Sequence, residues 1–145
     1  MDQRFGLGPI DQISFAVRDV EEAVGRYSAM FGGPFTVVDV PELEALCYGL
    51  PTRTTLKLAF GQTAGLEVEL VQVVSGEWPT LAWLESYGEG LHHIRYPVSD
   101  FSVTRREMEA AGCTVTLEGT GGQFSFAYLE APMLNGMTIE LISAG

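Results

Sequence analysis

The stretch DQISFAVRDVEEAVGRYSAMFGG, residues 11–33, decides the fold, because its pattern recurs at residues 91–113 as LHHIRYPVSDFSVTRREMEAAGC. Each copy opens with an alternating apolar segment, reaches an aspartate, and continues with the apolar spacing of a helix. Asp19 and Asp100 are predicted to be helix N-caps, since an aspartate at that position accepts a free backbone N–H. The repetition predicts a chain built from two related halves.

A second match lies further along each half, where EVELV at residues 67–71 resembles TIELI at residues 138–142. Each half is therefore predicted to contain a strand, a helix and three more strands. The predicted strands cover about 10–17, 35–40, 54–60, 66–74, 91–98, 113–117, 124–130 and 137–142, and the predicted helices cover 20–31 and 101–111. The segment VPELEALCYGLPTR, residues 40–53, is predicted to be loop that includes a short strand or none.

These elements predict an α+β fold in which tandem βαβββ modules form a curved mixed sheet around a central cleft. Residues 1–145 are expected to form a single domain. Repeat 1 covers about residues 9–75 and repeat 2 about residues 90–143, and a short helical linker joins them. Helices would cover the convex faces, so the concave faces would enclose the cleft.

Composition limits the partners of the chain. Its net charge is −11, from 19 acidic and 8 basic residues, which disfavours nucleic acid because binding to polyanions relies on basic patches. No apolar run approaches the ~20 residues that cross a bilayer, so no membrane partner is expected. The N-terminal MDQRFGLGPI lacks a signal-peptide core, which predicts a cytoplasmic protein. Cys47 and Cys113 are then expected to be reduced, buried thiols.

The alternation along the strands gathers four polar side chains on one inner face. These are Gln12, Glu69, His93 and Glu140. The repeat pairs Gln12 with His93, and it places the two glutamates in matching strands. An imidazole, two carboxylates and an amide oxygen suit a divalent ion with open positions for water or substrate. His92, one position earlier, is predicted to face away.

Each of these residues also has an ordinary structural interpretation. A glutamate on an alternating strand is usually exposed to solvent, and a histidine is usually packed or hydrogen-bonded. Arg95 should line the same cleft, two positions after His93. It would either bind a substrate carboxylate or form an ion pair with Glu67 or another acid of the wall, and the pattern does not choose between these.

Five motifs together resemble a known family: IDQISFAVRDVEEAV, VELVQ, EGLHHIRYPVSD, GTGG and GMTIELIS. Over nearly the whole chain the sequence is similar to the vicinal oxygen chelate superfamily, which includes glyoxalase I, methylmalonyl-CoA epimerase, extradiol dioxygenases and bleomycin-resistance proteins. The resemblance is greatest to the methylmalonyl-CoA epimerase branch, in which GLHHI and a terminal IEL are characteristic. Family members commonly form homodimers, so a homodimer is expected.

The resemblance implies roles for single residues. The second histidine of the pair is a metal ligand in that family, which carries over to His93. The terminal glutamate carries over to Glu140, and the mid-chain ligand to Glu69. The first ligand is normally a histidine, and Gln12 stands at that position. The implied cofactor is one divalent ion: Co, Mn, Ni, Mg or Zn.

The implied function is a metal-dependent epimerase, isomerase or lyase acting on a small carbonyl compound through a metal-stabilised enolate. An acyl-CoA such as methylmalonyl-CoA is one candidate substrate. Glu69 or Glu140 would be the catalytic base, and Arg95 would bind a substrate anion. The alternative is a metal-free small-molecule binding or resistance protein on the same scaffold, which Gln12 favours. The segment GTGGQF, residues 119–124, is a candidate flexible loop over the cleft.

Overall fold

The computed structural model describes residues 5–121 and 124–144, and their strands close into a barrel in the order β1-β4-β3-β2-β6-β7-β8-β5. The strands are β1 Gln12–Ala16, β2 Thr36–Cys47, β3 Leu50–Thr63, β4 Leu66–Ser75, β5 Gly90–Val98, β6 Thr114–Gly121, β7 Phe124–Ala131 and β8 Met137–Ser143. The helices are α1 Val20–Phe31, α2 Pro79–Tyr87 and α3 Phe101–Ala110, with a 3-10 turn at Pro132–Leu134.

The sheet is mixed, which confirms the predicted α+β class with a curved mixed sheet. β1 runs parallel to β4 and antiparallel to β5, and β5 runs parallel to β8. The remaining ladders are antiparallel. A short pairing of β2 with β6, through Leu46 and Cys47, closes the barrel. The first strands of the two halves therefore lie side by side, which brings their inner faces together.

The helices begin where the aspartates predict. The Asp19 carboxylate accepts from the backbone N–H groups of Glu21 and Glu22 at 3.0 and 3.3 Å, and Asp100 accepts from Val103 at 3.2 Å. α1 matches its predicted bounds and ends at Gly32, whose φ of 86° suits a residue without a side chain. Within the described residues, no helix combines the length and apolar character needed to span a bilayer.

The segment 40–53 corrects the loop prediction, because it forms the turn and the adjoining strand ends of a long β2–β3 hairpin. Tyr48 and Gly49 make its two-residue turn with φ values of 51° and 80°, the left-handed conformation that matches strand twist. A bulge at Glu42, with φ of 48°, accommodates Pro41 by interrupting the ladder between Val40 and Leu43. The proline and the acidic residues are unfavourable in strands, so the local sequence did not predict this strand, which forms by pairing with its neighbour.

The predicted flexible loop at 119–124 is also mostly strand. Residues 119–121 end β6, and Phe124 begins β7 and pairs with Gly121. Residues 122 and 123 lie outside the described residues.

Three apolar clusters divide the core. One packs α1 against the outer face of β4, with Val20, Ala23, Val68 and Leu70 at its centre. A second packs α3 against the outer faces of β7 and β8. The third lies inside the barrel and contains Cys47, Leu56, Val71, Trp78, Leu117 and Tyr128. Cys47 and Cys113 are both free and buried, which confirms the expectation of buried thiols.

Candidate functional site

The polar part of the barrel interior is built on β1 and its two neighbours. Ser14 stands opposite Glu69 of β4 and His93 of β5. Two residues earlier, Gln12 stands opposite Glu67 and Arg95 in the same two strands. Because side chains two apart on a strand share a face, these pairs form consecutive layers of one polar wall.

Glu69, His93 and Glu140 meet inside the barrel, and we call them the carboxylate–histidine cluster. His93 Nε2 lies 3.0 Å from Glu140 Oε1 and 3.9 Å from Glu69 Oε1. The Ser14 hydroxyl donates to the same Glu69 oxygen at 2.7 Å. His93 and Ser14 are fully buried, and Glu140 is 8% exposed. The cluster therefore holds two carboxylates around one imidazole nitrogen, away from bulk water.

Burial changes the acidity of the cluster. It raises the pKa of Glu69 to about 7, and the neighbouring Glu140 carboxylate adds to the rise. His93, the Ser14 hydroxyl and Arg95 oppose that rise but do not cancel it. A carboxyl group with a pKa near neutrality can both take and return a proton at physiological pH.

His92 does not face away, as strict alternation predicts. The β1–β5 pairing shifts register between Ser14 and Phe15, so β5 skips one residue at His92. The His92 ring is buried and its Nδ1 lies 2.9 Å from Nδ1 of His93. Burial lowers the pKa of His92 to about 3, with a further contribution from His93. His92 is therefore a neutral hydrogen-bonding partner of His93.

Gln12 is fully buried, and its two amide atoms have different surroundings. Its Nε2 donates to Glu67 Oε1 at 2.7 Å. Its Oε1 is buried and has no hydrogen-bond partner among the described residues. A buried acceptor without a partner is costly, so this oxygen suits a cation or a donor group of a bound molecule.

Arg95 lies in an ion pair at the edge of the polar wall. Its guanidinium donates to both carboxylate oxygens of Asp11, at 2.9 and 3.1 Å, and lies 3.5 Å from Glu67. These residues line a cavity of about 460 Å³ together with Phe60 and Phe124. The structure thus contains the ion pair that was one of the two interpretations of Arg95.

The sequence assigned no role to Ser14 or Tyr128, which contact the cluster, or to Asp11, which pairs with Arg95. The alternation that selected Gln12 also places Ser14 on the inner face, so its hydrogen bond to Glu69 had a detectable signal. The Tyr128 ring packs 4.6 Å from the His93 ring, and burial raises its pKa well above the usual value. The β6–β7 ladder shifts register between Val115 and Leu117, next to the residue that pairs with Tyr128, and the sequence pattern does not reveal such a shift.

This geometry can be compared with known proteins. A sequence model described as the Glyoxalase/Bleomycin resistance protein/Dioxygenase superfamily matches residues 11–128. The chain belongs to this superfamily.

Three proteins resemble this chain over nearly its whole length. An uncharacterized protein, YqjC of Bacillus subtilis, is 22% identical over 139 residues and covers 93% of this chain and 91% of its own. The structure of methylmalonyl-CoA epimerase from Mycobacterium tuberculosis is 17% identical, with a TM-score of 0.66 over 100% of this chain and 93% of its own.

A methylmalonyl-CoA epimerase variant of Streptomyces coelicolor, solved in complex with 2-nitronate-propionyl-CoA, is 21% identical. Its TM-score is 0.67, over 97% of this chain and 96% of its own. Likeness at these identities shows a shared fold and leaves the activity of the chain to the chemistry of its site.

The polar side chains of the barrel interior can be compared with the ligands that a divalent ion requires. In the described part of the chain, no three His, Cys, Asp or Glu side chains stand at the spacing of a formed metal site. The cluster is held instead by direct contacts between His93 and its carboxylates. The chemistry nevertheless fits, because two carboxylates, an imidazole and the unpartnered oxygen of Gln12 are ligands that a divalent cation accepts.

Proposed function

We propose that this protein is a divalent-metal-dependent enzyme that moves a proton beside the carbonyl group of a small substrate, as an epimerase, isomerase or lyase. The observation that carries the proposal is the buried cluster of Glu69, His93 and Glu140, in which burial raises the pKa of Glu69 to about 7. Stability alone does not favour such a cluster, since burying charged groups is costly.

Glu69 is the proposed base. Its carboxylate, released from the ion that it would help to hold, takes the proton from the carbon beside the carbonyl, and the electron pair of that C–H bond moves into an enolate. Return of the proton to the opposite face gives the epimer, return to another atom gives an isomer, and loss of a leaving group gives a lyase product. The Ser14 hydroxyl, 2.7 Å from Glu69 Oε1, orients the carboxylate. Glu140 could exchange this role with Glu69.

Gln12, Glu69, His93 and Glu140 would hold the ion in this proposal. The bound ion supplies Lewis-acid polarisation of the substrate carbonyl, which lowers the barrier to removing the neighbouring proton. His92 supports the ligand role of His93, because its neutral Nδ1 can accept a hydrogen bond from His93 Nδ1 at 2.9 Å. That tautomer leaves Nε2 of His93 without a proton and facing the carboxylates.

Arg95 is the proposed contact for an anionic group of the substrate. A substrate carboxylate would compete with Asp11 for the guanidinium, since Asp11 occupies two of its nitrogens. The epimerase structures that share the fold make an acyl-CoA such as methylmalonyl-CoA one candidate substrate. We further propose a cytoplasmic homodimer whose partner is a small carbonyl compound, with residues 1–145 as a single duplicated domain.

Solvent deuterium exchange tests the proposal. Purified protein is incubated in deuterated buffer with 2-substituted acyl thioesters and with 2-hydroxy and 2-keto acids, with Co, Mn, Ni, Mg or Zn supplied. Mass spectrometry should detect incorporation at the carbon beside the carbonyl of one compound class. Glu69→Gln should slow that incorporation by about 10²–10⁴-fold, the usual contribution of a general base.

Glu44→Gln is the matched control, because Glu44 lies in an exposed ion pair with Arg53, on the barrel's β2–β3 hairpin. It should exchange at the wild-type rate. If no compound incorporates deuterium with any of the ions, the proposed chemistry is contradicted. Equal rates for wild type and Glu69→Gln would remove Glu69 as the base.

A second candidate is a metal-free protein that binds a small molecule in the barrel. The hydrogen bond from Gln12 Nε2 to Glu67 favours it, because this amide stands where the family normally has a ligating histidine. Elemental analysis distinguishes the candidates. Stoichiometric metal in the wild-type protein that is lost in His93→Ala supports the enzyme. A wild-type protein without metal, together with a Glu69→Gln variant that binds the ligand with unchanged affinity, supports the binding protein.

A further inference from the structure

A second cavity, separate from the Arg95 edge of the barrel, opens between α2, the start of β5 and the β7–β8 connection. Its volume is about 660 Å³. We call it the α2 pocket. Its lining includes Tyr48, Trp83, Tyr87, His92, Glu130 and Thr138. This volume is in the range that holds a small organic ligand.

Three aromatic side chains of the α2 pocket form a connected group. The Trp83 ring lies 5.5 Å from the Tyr87 ring and 5.6 Å from the His92 ring. Gly90 leaves room for this arrangement, since a Cβ there would lie 3.3 Å from Trp83. Tyr48 and Tyr87 are more than half exposed, so their rings are available to a ligand that enters from solvent.

The charge of the α2 pocket has one sign. Glu130 contributes a carboxylate close enough to Tyr48 to help raise its pKa, after burial and Cys47. None of the described lining residues is Lys or Arg. The net charge of −11 adds a long-range field of the same sign.

We propose that the α2 pocket is a binding site for an organic cation with a flat apolar body, such as an aromatic ammonium compound. Aromatic faces attract cations through their quadrupoles, and Glu130 supplies the opposite charge. An anion meets no positive side chain in this lining. The inference goes beyond the proposed function, because it concerns a different cavity and requires neither metal nor proton transfer.

Binding of three probes with one ring and different charges tests the proposal. Benzyltrimethylammonium, benzyl alcohol and benzoate are titrated into full-length protein, and amide chemical shifts are followed by NMR. The cation should bind about tenfold more tightly than the alcohol, and benzoate should bind most weakly. The shifts should centre on Ala82, Leu91 and Asn135, which line the pocket.

Two variants should weaken the binding of the cation. Trp83→Leu removes a ring and should reduce affinity by about fivefold or more. Glu130→Gln removes only the charge and should reduce affinity by about threefold. This second variant still tests the proposal if Trp83→Leu folds poorly. Phe124→Leu at the Arg95 cavity and Glu107→Gln on α3 are the matched controls and should bind like wild type.

Equal affinity for the three probes would overturn the proposal, as would tighter binding of benzoate. Unchanged affinity of Glu130→Gln, or shifts centred away from α2, would also overturn it. These outcomes would leave the proton-transfer chemistry of Glu69 untouched, because the deuterium-exchange experiment does not depend on the α2 pocket.

Discussion

The two sides of the barrel interior follow the same strand alternation but carry opposite chemistry. The apolar side consists of Cys47, Leu56, Val71 and Leu117 on the strands, and Trp78, at the start of α2, packs against them. The polar side consists of Gln12, Ser14, Glu69, His93 and Glu140. Both sides are shielded from solvent, so they differ in what burial does to their free energy and not in how much water reaches them.

This difference separates a surface whose burial stabilises the fold from one whose burial is costly. Burial of the apolar side lowers the free energy of the folded state. Burial of two carboxylates beside an imidazole raises it unless their contacts offset the lost hydration. The apolar side therefore stabilises the folded barrel, and burial of the polar side opposes that stability. Natural proteins retain such unfavourable features mainly at functional sites.

The largest effect should come from a cavity on the apolar side. Leu117 is fully buried there, so Leu117→Ala should lower the free energy of unfolding by about 2–5 kcal/mol. Urea denaturation followed by circular dichroism measures this loss. Leu50→Ala, on a side chain that is 70% exposed, should change stability little. Equal losses in the two variants would show that the apolar side does not dominate stability.

On the polar side, apolar replacement should have the opposite effect. The double variant His93→Leu with Glu140→Leu removes a contact pair 3.0 Å apart, and its stability should equal that of wild type or exceed it by up to about 4 kcal/mol. His93→Leu alone should cost about 1–3 kcal/mol, because Glu140 then loses its partner. A double variant less stable than the single one would contradict the comparison.

The pH dependence of stability should reveal Glu69. Its pKa is raised to about 7 in the folded chain from an ordinary 4.5, so its stabilising contribution is complete below pH 4.5 and is lost as pH rises through 7. Glu69→Gln should therefore gain on the order of 1–3 kcal/mol relative to wild type across this window. Denaturation of EDTA-treated proteins at pH 4.5–8 measures the difference, with Glu44→Gln expected to parallel wild type.

The smallest effect should come from placing an imidazole at position 12. Gln12→His replaces an amide oxygen with an imidazole, which binds Co, Ni or Zn more strongly. The affinity for one of these ions should rise about tenfold, equal to about 1.4 kcal/mol. Calorimetry measures the change. An unchanged or weaker affinity would mean that position 12 does not reach the ion.

Local patterns predicted much of the fold and of the inner face. The aspartate caps located α1 and α3, and the two-residue alternation placed Glu69, His93 and Glu140 on one face, where the structure brings them together. These features depend on residues close in sequence, so the pattern is sufficient to predict them. The duplicated-domain boundaries and the ligand roles of these residues stay predictions.

Other features depend on long-range pairing, which the pattern does not contain. The β2–β3 hairpin extends through residues 40–53 because each strand pairs with the other. The irregularity in the β1–β5 register turns His92 inward against the alternation. The contact of Arg95 with Asp11 joins residues 84 positions apart, so the sequence left two interpretations of Arg95.

Calorimetric titration of Co, Mn, Ni, Mg and Zn into EDTA-treated protein tests the central claim most directly, since the claim is that the polar side is a cation site. The account predicts one ion per chain for wild type and for Glu44→Gln, and affinity at least about tenfold lower for His93→Ala and Glu140→Gln. The account is contradicted if the wild-type protein binds none of the five ions, or if His93→Ala and Glu140→Gln bind the ion as tightly as wild type.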